Sequence, residues 1–336
     1  MVSIILPTYN SIRFLEARLK SIINQTLTGW ECIVIDGYSS DGSWEMLQEI
    51  AASDNRFLLY KYPPKGPYDA WNKGLIHAQG AYVYIATSDD TMSPDCLEKL
   101  FVALEEHQDC EIAHCNLTII DEEGNDLRAK GWDWAKFPPG QYFGEWYHKK
   151  HKRIAPHDAI LYASLHTIYH SITQLLFRKS LCEKIGYFRT DRGSAADFEW
   201  GMRAAFVTNT LHIPEYLATW RVHKKQVTNI DLLYSSEHRE MLLKMVEAAY
   251  QNKLNNTIKL EDLTHTYLLE MWSFSIKEGK LYSFTLSFLR TIIKNPAYIK
   301  NLYYLIRYNN IIGENSVEYA NKMVIKYNLM GYLVHI

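Results

Sequence analysis

Four short apolar runs dominate the first hundred residues, each closed by a polar loop and followed by a segment of helical period. This alternation restricts the fold more than any other feature. Val2–Leu6 passes through the breaker Pro7 into a polar loop, after which Ile12, Leu15, Leu19 and Ile22 recur at helical spacing. Glu31–Ile35 is followed by Trp44, Leu47 and Ile50, and Phe57–Lys61 by a helical stretch from Tyr68 to Gln79 that stops before Gly80. Ala81–Ala86 precedes another helix with Pro94 near its start. Strands alternating with helices across short loops predict a mostly parallel sheet covered on both faces. Ligands bind outside the carboxyl ends of such strands. The loops Pro7–Ser11, Asp36–Ser43 and Thr87–Ser93 are therefore predicted to meet in one crevice.

The rest of the chain is less regular. Residues 111–127 read as two strands joined at Glu123-Gly124-Asn125, Thr173–Arg178 and Glu215–Trp220 as strands, and Ala195–Val207 as a helix. Beyond about Asn229 the pattern turns helical with hardly any strand signal. With 336 residues, one large domain and an appendage are expected, and 47% apolar residues can build a core without disulfides or structural metal. A formal charge of −2 speaks against a nucleic-acid partner. Five cysteines without a CxxC pair fit a reduced, cytoplasmic setting. The opening residues do not read as a secretory leader, and no apolar run approaches the roughly 20 residues of a membrane span. Neither a Walker A loop nor GxGxxG occurs, and His166 and His170 lack the glutamate of a zinc-protease helix.

The chemistry concentrates in Ser88-Asp89-Asp90, directly after the fourth strand signal. Adjacent carboxylates at a strand end repel each other unless solvent, a cation or a basic partner offsets the charge. A hard divalent cation bound there would also hold a diphosphate; a solvated turn opening the next helix would use the same residues differently. Three further segments surround this pair: Pro7-Thr-Tyr-Asn10 after the first strand, Asp36-Gly-Tyr-Ser-Ser-Asp-Gly-Ser43 after the second, and Tyr68-Asp-Ala-Trp-Asn-Lys-Gly74 before the fourth.

This ordered set, over roughly residues 1–230, resembles the nucleotide-binding half of family-2 glycosyltransferases, inverting enzymes of the GT-A fold. The resemblance implies an α/β catalytic domain over residues 1–229, its first 115 residues binding a nucleoside-diphosphate sugar (a UDP-sugar first of all) and residues 116–229 serving the acceptor. Residues 230–336 would form a helical extension. It further implies that Pro7, Thr8, Tyr9 and Asn10 line the nucleoside pocket, with the Tyr9 ring against the base, and that Asp36 accepts a hydrogen bond from the base edge. Asp69, Asn72 and Lys73 would face the diphosphate or donor sugar, although Trp71 stands where many relatives carry arginine. Ser88, Asp89 and Asp90 would meet the metal-diphosphate, with Mn2+ or Mg2+ neutralising the leaving group. Asp41 would shape its loop or cap the helix near Ser43.

Direct displacement at the anomeric carbon needs one base beside the acceptor hydroxyl. In relatives an acidic residue at the start of a late helix supplies it, and Asp197 of Ala196-Asp-Phe-Glu-Trp200 matches; it could equally cap the helix. Glu199 lies two positions on, so only one of the two can enter the cleft. Arg221-Val-His223 resembles the family's late segment returning to the donor site, which makes His223 a candidate metal ligand or phosphate donor. A saccharide or lipid-linked saccharide acceptor could meet the aromatic-rich stretch Trp132–Tyr147 or the basic run His148–Arg153, the latter also readable as a solvated strip. Basic, aromatic helices after Lys277 suggest peripheral contact with the inner face of the cell membrane, or packing on the domain. A catalytically silent nucleotide-sugar-binding scaffold is the alternative reading.

Overall fold

The structure, a computed structural model, describes residues 1–131, 144–164, 171–191, 196–224, 235–251, 258–299, 325 and 328–336. The chain begins with β1 (Val2–Thr8), α1 (Ile12–Ile23), β2 (Trp30–Asp36), α2 (Ser43–Ser53), β3 (Phe57–Lys61), α3 (Pro67–His77), β4 (Tyr82–Ile85) and α4 (Cys96–Glu106). It continues through β5 (Cys110–Ile120), β6 (His151–Arg153), α5 (Asp158–Ser164), β7 (Leu175–Arg178), α6 (Ser180–Ile185), α7 (Ala196–Val207) and β8 (Asn209–Arg221). Helices α8 (Ser236–Gln251), α9 (Leu260–Lys277) and α10 (Leu281–Lys294) follow, and β9 (Leu333–His335) ends the described chain.

The described strands form one sheet in the order β3-β2-β1-β4-β7-β5-β8-β6-β9. β1 pairs in parallel with β2 and β4, β2 with β3, and β5 with β8. β7 runs antiparallel between β4 and β5, and β6 antiparallel between β8 and β9. Only β6 and β7 therefore oppose the direction of the other described strands, as expected of a mostly parallel sheet. The strand order reverses at β1, which has β2 on one side and β4 on the other. The crevice beyond this switch point is where such sheets take ligands.

Alternation along β1 divides the core. Ile5 faces the cluster that holds Trp71, Leu75, Phe177, Trp200 and Trp272, while Ile4 and Leu6 face the cluster with Leu15, Leu19, Leu97 and Leu100. Helix α3 lies so close to β1 that a Cβ at Gly74 would stand 2.3 Å from Cγ2 of Ile5. That approach requires glycine.

The sequence pattern located the first four strands and their helices, and also β7 and α7. It did not locate the short strands β6 and β9. The second of the two strands read in residues 111–127 is only an isolated bridge between Ile120 and Asp126. The C-terminal β9 pairs with β6 although the sequence beyond about Asn229 carries hardly any strand signal. The basic run belongs to the sheet: His151 and Arg153 of β6 are buried. Lys149, Lys150 and Lys152 pair with Glu145, Glu106 and Asp109 at 2.6, 3.6 and 2.8 Å. It is not a free cationic strip. The boundary expected at residue 229 and the residues His166 and His170 lie outside the described residues, as do Trp132–Phe143. All five cysteines are buried free thiols.

Candidate active site

Strands β1, β2, β4 and β8 end on the same rim and carry the candidate residues there. Pro7, in β1 opposite Ile35, needs no N–H that the ladder would use on its other face. Asp36 at the end of β2 is fully buried and accepts from the Thr8 hydroxyl at 3.0 Å, the Ser39 N–H at 3.0 Å and the Ser39 hydroxyl at 2.6 Å. In this arrangement its carboxylate braces the loop. Asn10, at φ 50, receives the Ser40 N–H on its side-chain oxygen at 2.9 Å and gives its own N–H to Ser39 Oγ at 2.9 Å. Loops one and two are thereby stitched together.

Asp41 settles into a cap for two helices. It accepts the Ile12 N–H at 3.0 Å, at the start of α1, and the N–H and hydroxyl of Ser43 at 3.0 and 2.6 Å, at the start of α2. Burial works against its charge, yet these donors hold its carboxyl below the usual range. Tyr9 is 59% exposed, and its ring lies so near the backbone of Gly37 that a Cβ there would come within 2.9 Å of it.

The two aspartates after β4 divide their work. Asp90 is only 2% exposed and accepts the Arg221 backbone N–H at 2.7 Å on one oxygen and the Thr87 hydroxyl on the other. Burial first, then the adjacent Asp89 charge, pushes its carboxyl up to about 7. Asp89 is the partner with a side chain 29% exposed, and its Oδ2 lies 3.0 Å from Nε2 of His223. Both aspartates were expected at the metal-diphosphate; Asp89, in contact with His223, carries the more exposed carboxylate, while both oxygens of Asp90 are engaged by Arg221 and Thr87. Ser88 joins the first loop through its hydroxyl, 2.9 Å from that of Ser11.

Arg221 holds this arrangement together. Its Nε donates to the Asp89 carbonyl at 2.7 Å and its Nη1 to the carbonyls of Asp121 and Glu122 at 2.9 and 3.0 Å, while the guanidinium lies 4.9 Å from the Phe14 ring centroid. The same ring stands 4.9 Å from that of His223. Residues 91–93 are zipped onto β8 by Thr219 N–H to the Thr91 carbonyl at 3.0 Å and Ser93 N–H to the Leu217 carbonyl at 2.8 Å. This explains how β8 delivers Arg221 and His223 to the acidic loop. Below, Arg18 of α1 is fully buried and gives Nε to the Thr87 carbonyl at 2.7 Å. Sequence reasoning passed over Arg18, although a charged residue among Leu15, Leu19 and Ile22 was the available signal.

Not every expected residue reaches this crevice. Asn72 spends its amide on Phe188, donating to its carbonyl at 2.7 Å and accepting its N–H at 3.0 Å. It anchors the 186–188 turn and does not face a donor. Lys73 places its amine 5.5 Å from the Tyr62 ring centroid. Trp71 is buried against Tyr68 and Phe188, core packing in the place of the arginine. Asp69 lies in the first turn of α3 and is partly exposed.

The start of α7 separates the two carboxylates left open by the sequence. Glu199 is 1% exposed and forms a two-pronged ion pair with Arg203, at 2.8 and 2.9 Å. Arg203 continues to the carbonyls of Ile185, Gly186 and Tyr187. Glu199 therefore belongs to the scaffold. Asp197 accepts the Tyr68 hydroxyl at 3.2 Å and the Phe198 N–H at 2.9 Å. Burial raises its carboxyl above the ordinary range. Among the described residues no three His, Cys, Asp or Glu side chains converge on one point, so Asp89 and His223 could furnish at most two protein ligands to a cation.

Comparison with known proteins identifies the family and the fold. An uncharacterized glycosyltransferase of Rickettsia prowazekii (strain Madrid E) is 26% identical over 293 residues, 87% of this chain and 85% of that protein. The structure of S. aureus TarS 1–349 in complex with UDP-GlcNAc superposes with a TM-score of 0.56 at 17% identity, covering 98% of this chain and 89% of that one. The mannosyltransferase PcManGT from Pyrobaculum calidifontis, in complex with GDP-Man and Mn2+, gives a TM-score of 0.55 at 16% identity, over 97% and 86% of the two chains. At these identities both likenesses concern the fold. The family model for glycosyl transferase family 2 matches residues 3–185, the stretch that carries the switch-point loops and the acidic pair, and the chain belongs to that family of transferases.

Proposed function

We propose that this glycosyltransferase moves one sugar, with inversion, from a nucleoside-diphosphate donor to a hydroxyl of a saccharide or lipid-linked saccharide. The observation that carries this reading is the contact of the partly exposed Asp89 with His223, beside the buried Asp90 at the reversal point of the sheet. Two protein ligands of this hard and borderline character suit Mg2+ or Mn2+, which complete their shells with substrate phosphates and water. Such a cation, when bound, neutralises charge on the departing diphosphate. The fold neighbours bound to UDP-GlcNAc and to GDP-Man with Mn2+ support a nucleotide-sugar donor, and a UDP-sugar is the first choice.

The protein's own groups divide the remaining tasks. Tyr9 offers an exposed ring to the base, while Thr8, Asn10 and Asp36 keep the pocket in shape. As the acceptor oxygen attacks the anomeric carbon and the bond to the diphosphate breaks, the acceptor's proton passes to Asp197. Its raised carboxyl brings its basicity nearer to neutral operating pH, which favours general-base catalysis. Residues 1–115 form the donor half, 116–229 the acceptor half, and the region from residue 230 a platform for acceptor and membrane. In α10, Tyr282 is 77% and Ile293 81% exposed beside Arg290 and Lys294, a composition suited to the headgroup region of an anionic leaflet. No described helix is long and apolar enough to cross a membrane. Surface-polysaccharide assembly at the cytoplasmic face is the setting this combination fits.

Calorimetric titration with UDP tests the donor site. Binding in Mn2+ should weaken at least tenfold in EDTA and in Asp89→Ala or His223→Ala; equal affinity in all four conditions would contradict the reading.

A further inference from the structure

Tyr38 occupies a backbone position that a tyrosine rarely enters. Its φ is 61, in the left-handed region that glycine adopts freely and a bulky L-residue does not. Burial offers no compensation, since the residue is 56% exposed. The turn enforces the conformation from both sides: Gly37 N–H is bonded to the Thr8 carbonyl at 2.8 Å, and Ser39 is clamped to the Asp36 carboxylate by its N–H and hydroxyl. A strained residue whose ring contributes little to the core is a reason to look for a ligand.

The surroundings say which ligand. Tyr38 sits within the Asp36–Ser39 turn, directly after Gly37, against which the exposed Tyr9 ring and the Pro64 side chain lie. On the β3 side Lys61, in register with Asp36, places its amine 5.7 Å from the Tyr38 ring centroid and 4.0 Å from that of Trp44. The first two loops therefore each carry an exposed phenol ring near this turn, with one ammonium beside the Tyr38 ring. Aromatic faces take up a planar base, and the ammonium complements an anionic nucleotide.

We propose that Tyr38 is a donor-binding residue, offering its ring face to the base of the nucleoside diphosphate beside Tyr9. The proposal rests on the nucleotide-sugar reading above and adds to it a second aromatic wall on the β2 loop. It predicts that strain and binding come apart when Tyr38 is replaced.

Tyr38→Gly and Tyr38→Phe should be compared with the wild type by thermal melting and by calorimetry with UDP, GDP and pyrophosphate in Mn2+. Tyr38→Gly should melt at the same or a higher temperature. It should bind UDP and GDP roughly tenfold more weakly, the scale of one base–aromatic stack, and pyrophosphate unchanged. Tyr38→Phe should bind as the wild type does. Wild-type nucleotide affinity in Tyr38→Gly would overturn this proposal alone, and so would an equal loss toward pyrophosphate, which has no base to stack. A wild type that binds no nucleotide would overturn the donor reading as well.

Discussion

Replacing Glu199 by glutamine leaves the volume of α7 nearly unchanged and removes one charge from a pair that is almost entirely buried. Arg203, 6% exposed, would then lose the charged partner that it meets at 2.8 and 2.9 Å, retaining the amide oxygen and the carbonyls of the 185–187 turn. Breaking a buried pair by deleting one partner costs about 3–5 kcal/mol. The carbonyls still facing Arg203 place the expectation near the lower figure, about 3 kcal/mol, and the melting temperature should fall by several degrees. Asp197→Asn does the opposite. It removes a charge that burial already disfavours and keeps an oxygen for the Tyr68 hydroxyl, so melting should be unchanged or higher. Turnover should nevertheless drop by roughly 10²–10⁴, the range of a lost general base. Denaturant titration and kcat under saturating donor read the two effects independently. Unchanged stability with lost turnover in Glu199→Gln, together with an active Asp197→Asn, would refute the assignment.

Asp41→Ala should cost about 1–2 kcal/mol in a denaturation curve, because one carboxylate caps α1 and α2 together. Turnover should fall on the acid side at a pH above the ordinary carboxylate range as Asp197 takes up its proton; a pH–rate profile flat down to pH 4 would contradict this. His114, His212 and His151 stand side by side on β5, β8 and β6, and burial lowers His151 to about 4 and holds His212 well below its ordinary value. Both are neutral when folded, and the unfolded chain binds more protons below pH 6.5. Stability should therefore be full above about pH 6.5 and fall toward pH 4, with His151 alone accounting for about 3 kcal/mol, measurable as the denaturation midpoint against pH in wild type and His151→Gln. Liposome sedimentation should rise with anionic lipid, fall with salt and weaken in Tyr282→Ser/Ile293→Ser; recovery in the supernatant regardless of lipid would leave α10 as a packing element.

Local patterns carried much of this architecture. Alternating apolar runs and helical spacing place β1 to β4 with their helices, and the switch-point rule then brings Tyr9, Asp36 and Asp89 to one rim. Long-range pairing was less visible. β9 is three residues long and takes its partner from β6, far away in the chain, so no local period announces it. The division between Asp89 and Asp90 depends on which one receives the Arg221 N–H and the Thr87 hydroxyl, contacts made across more than a hundred residues in the first case. Glu199 and Arg203 were legible as an i,i+4 pair, a second reason in the sequence for the choice of Asp197 that the motif had suggested. Asn72 shows the converse: its motif points to the donor, while its amide is occupied by Phe188.

What leaves the donor distinguishes sugar transfer from other reactions most directly. Wild-type protein incubated with a nucleotide sugar and Mn2+ should release nucleoside diphosphate, by transfer or slow hydrolysis, and EDTA should stop it. Quantifying nucleoside diphosphate by ion-exchange chromatography, with Asp89→Ala as control, gives the result. Metal-dependent nucleoside diphosphate that disappears in Asp89→Ala is the predicted outcome. Release of pyrophosphate, or equal nucleoside diphosphate in chelator and in the variant, would contradict the claim that Asp89 and His223 handle the leaving diphosphate.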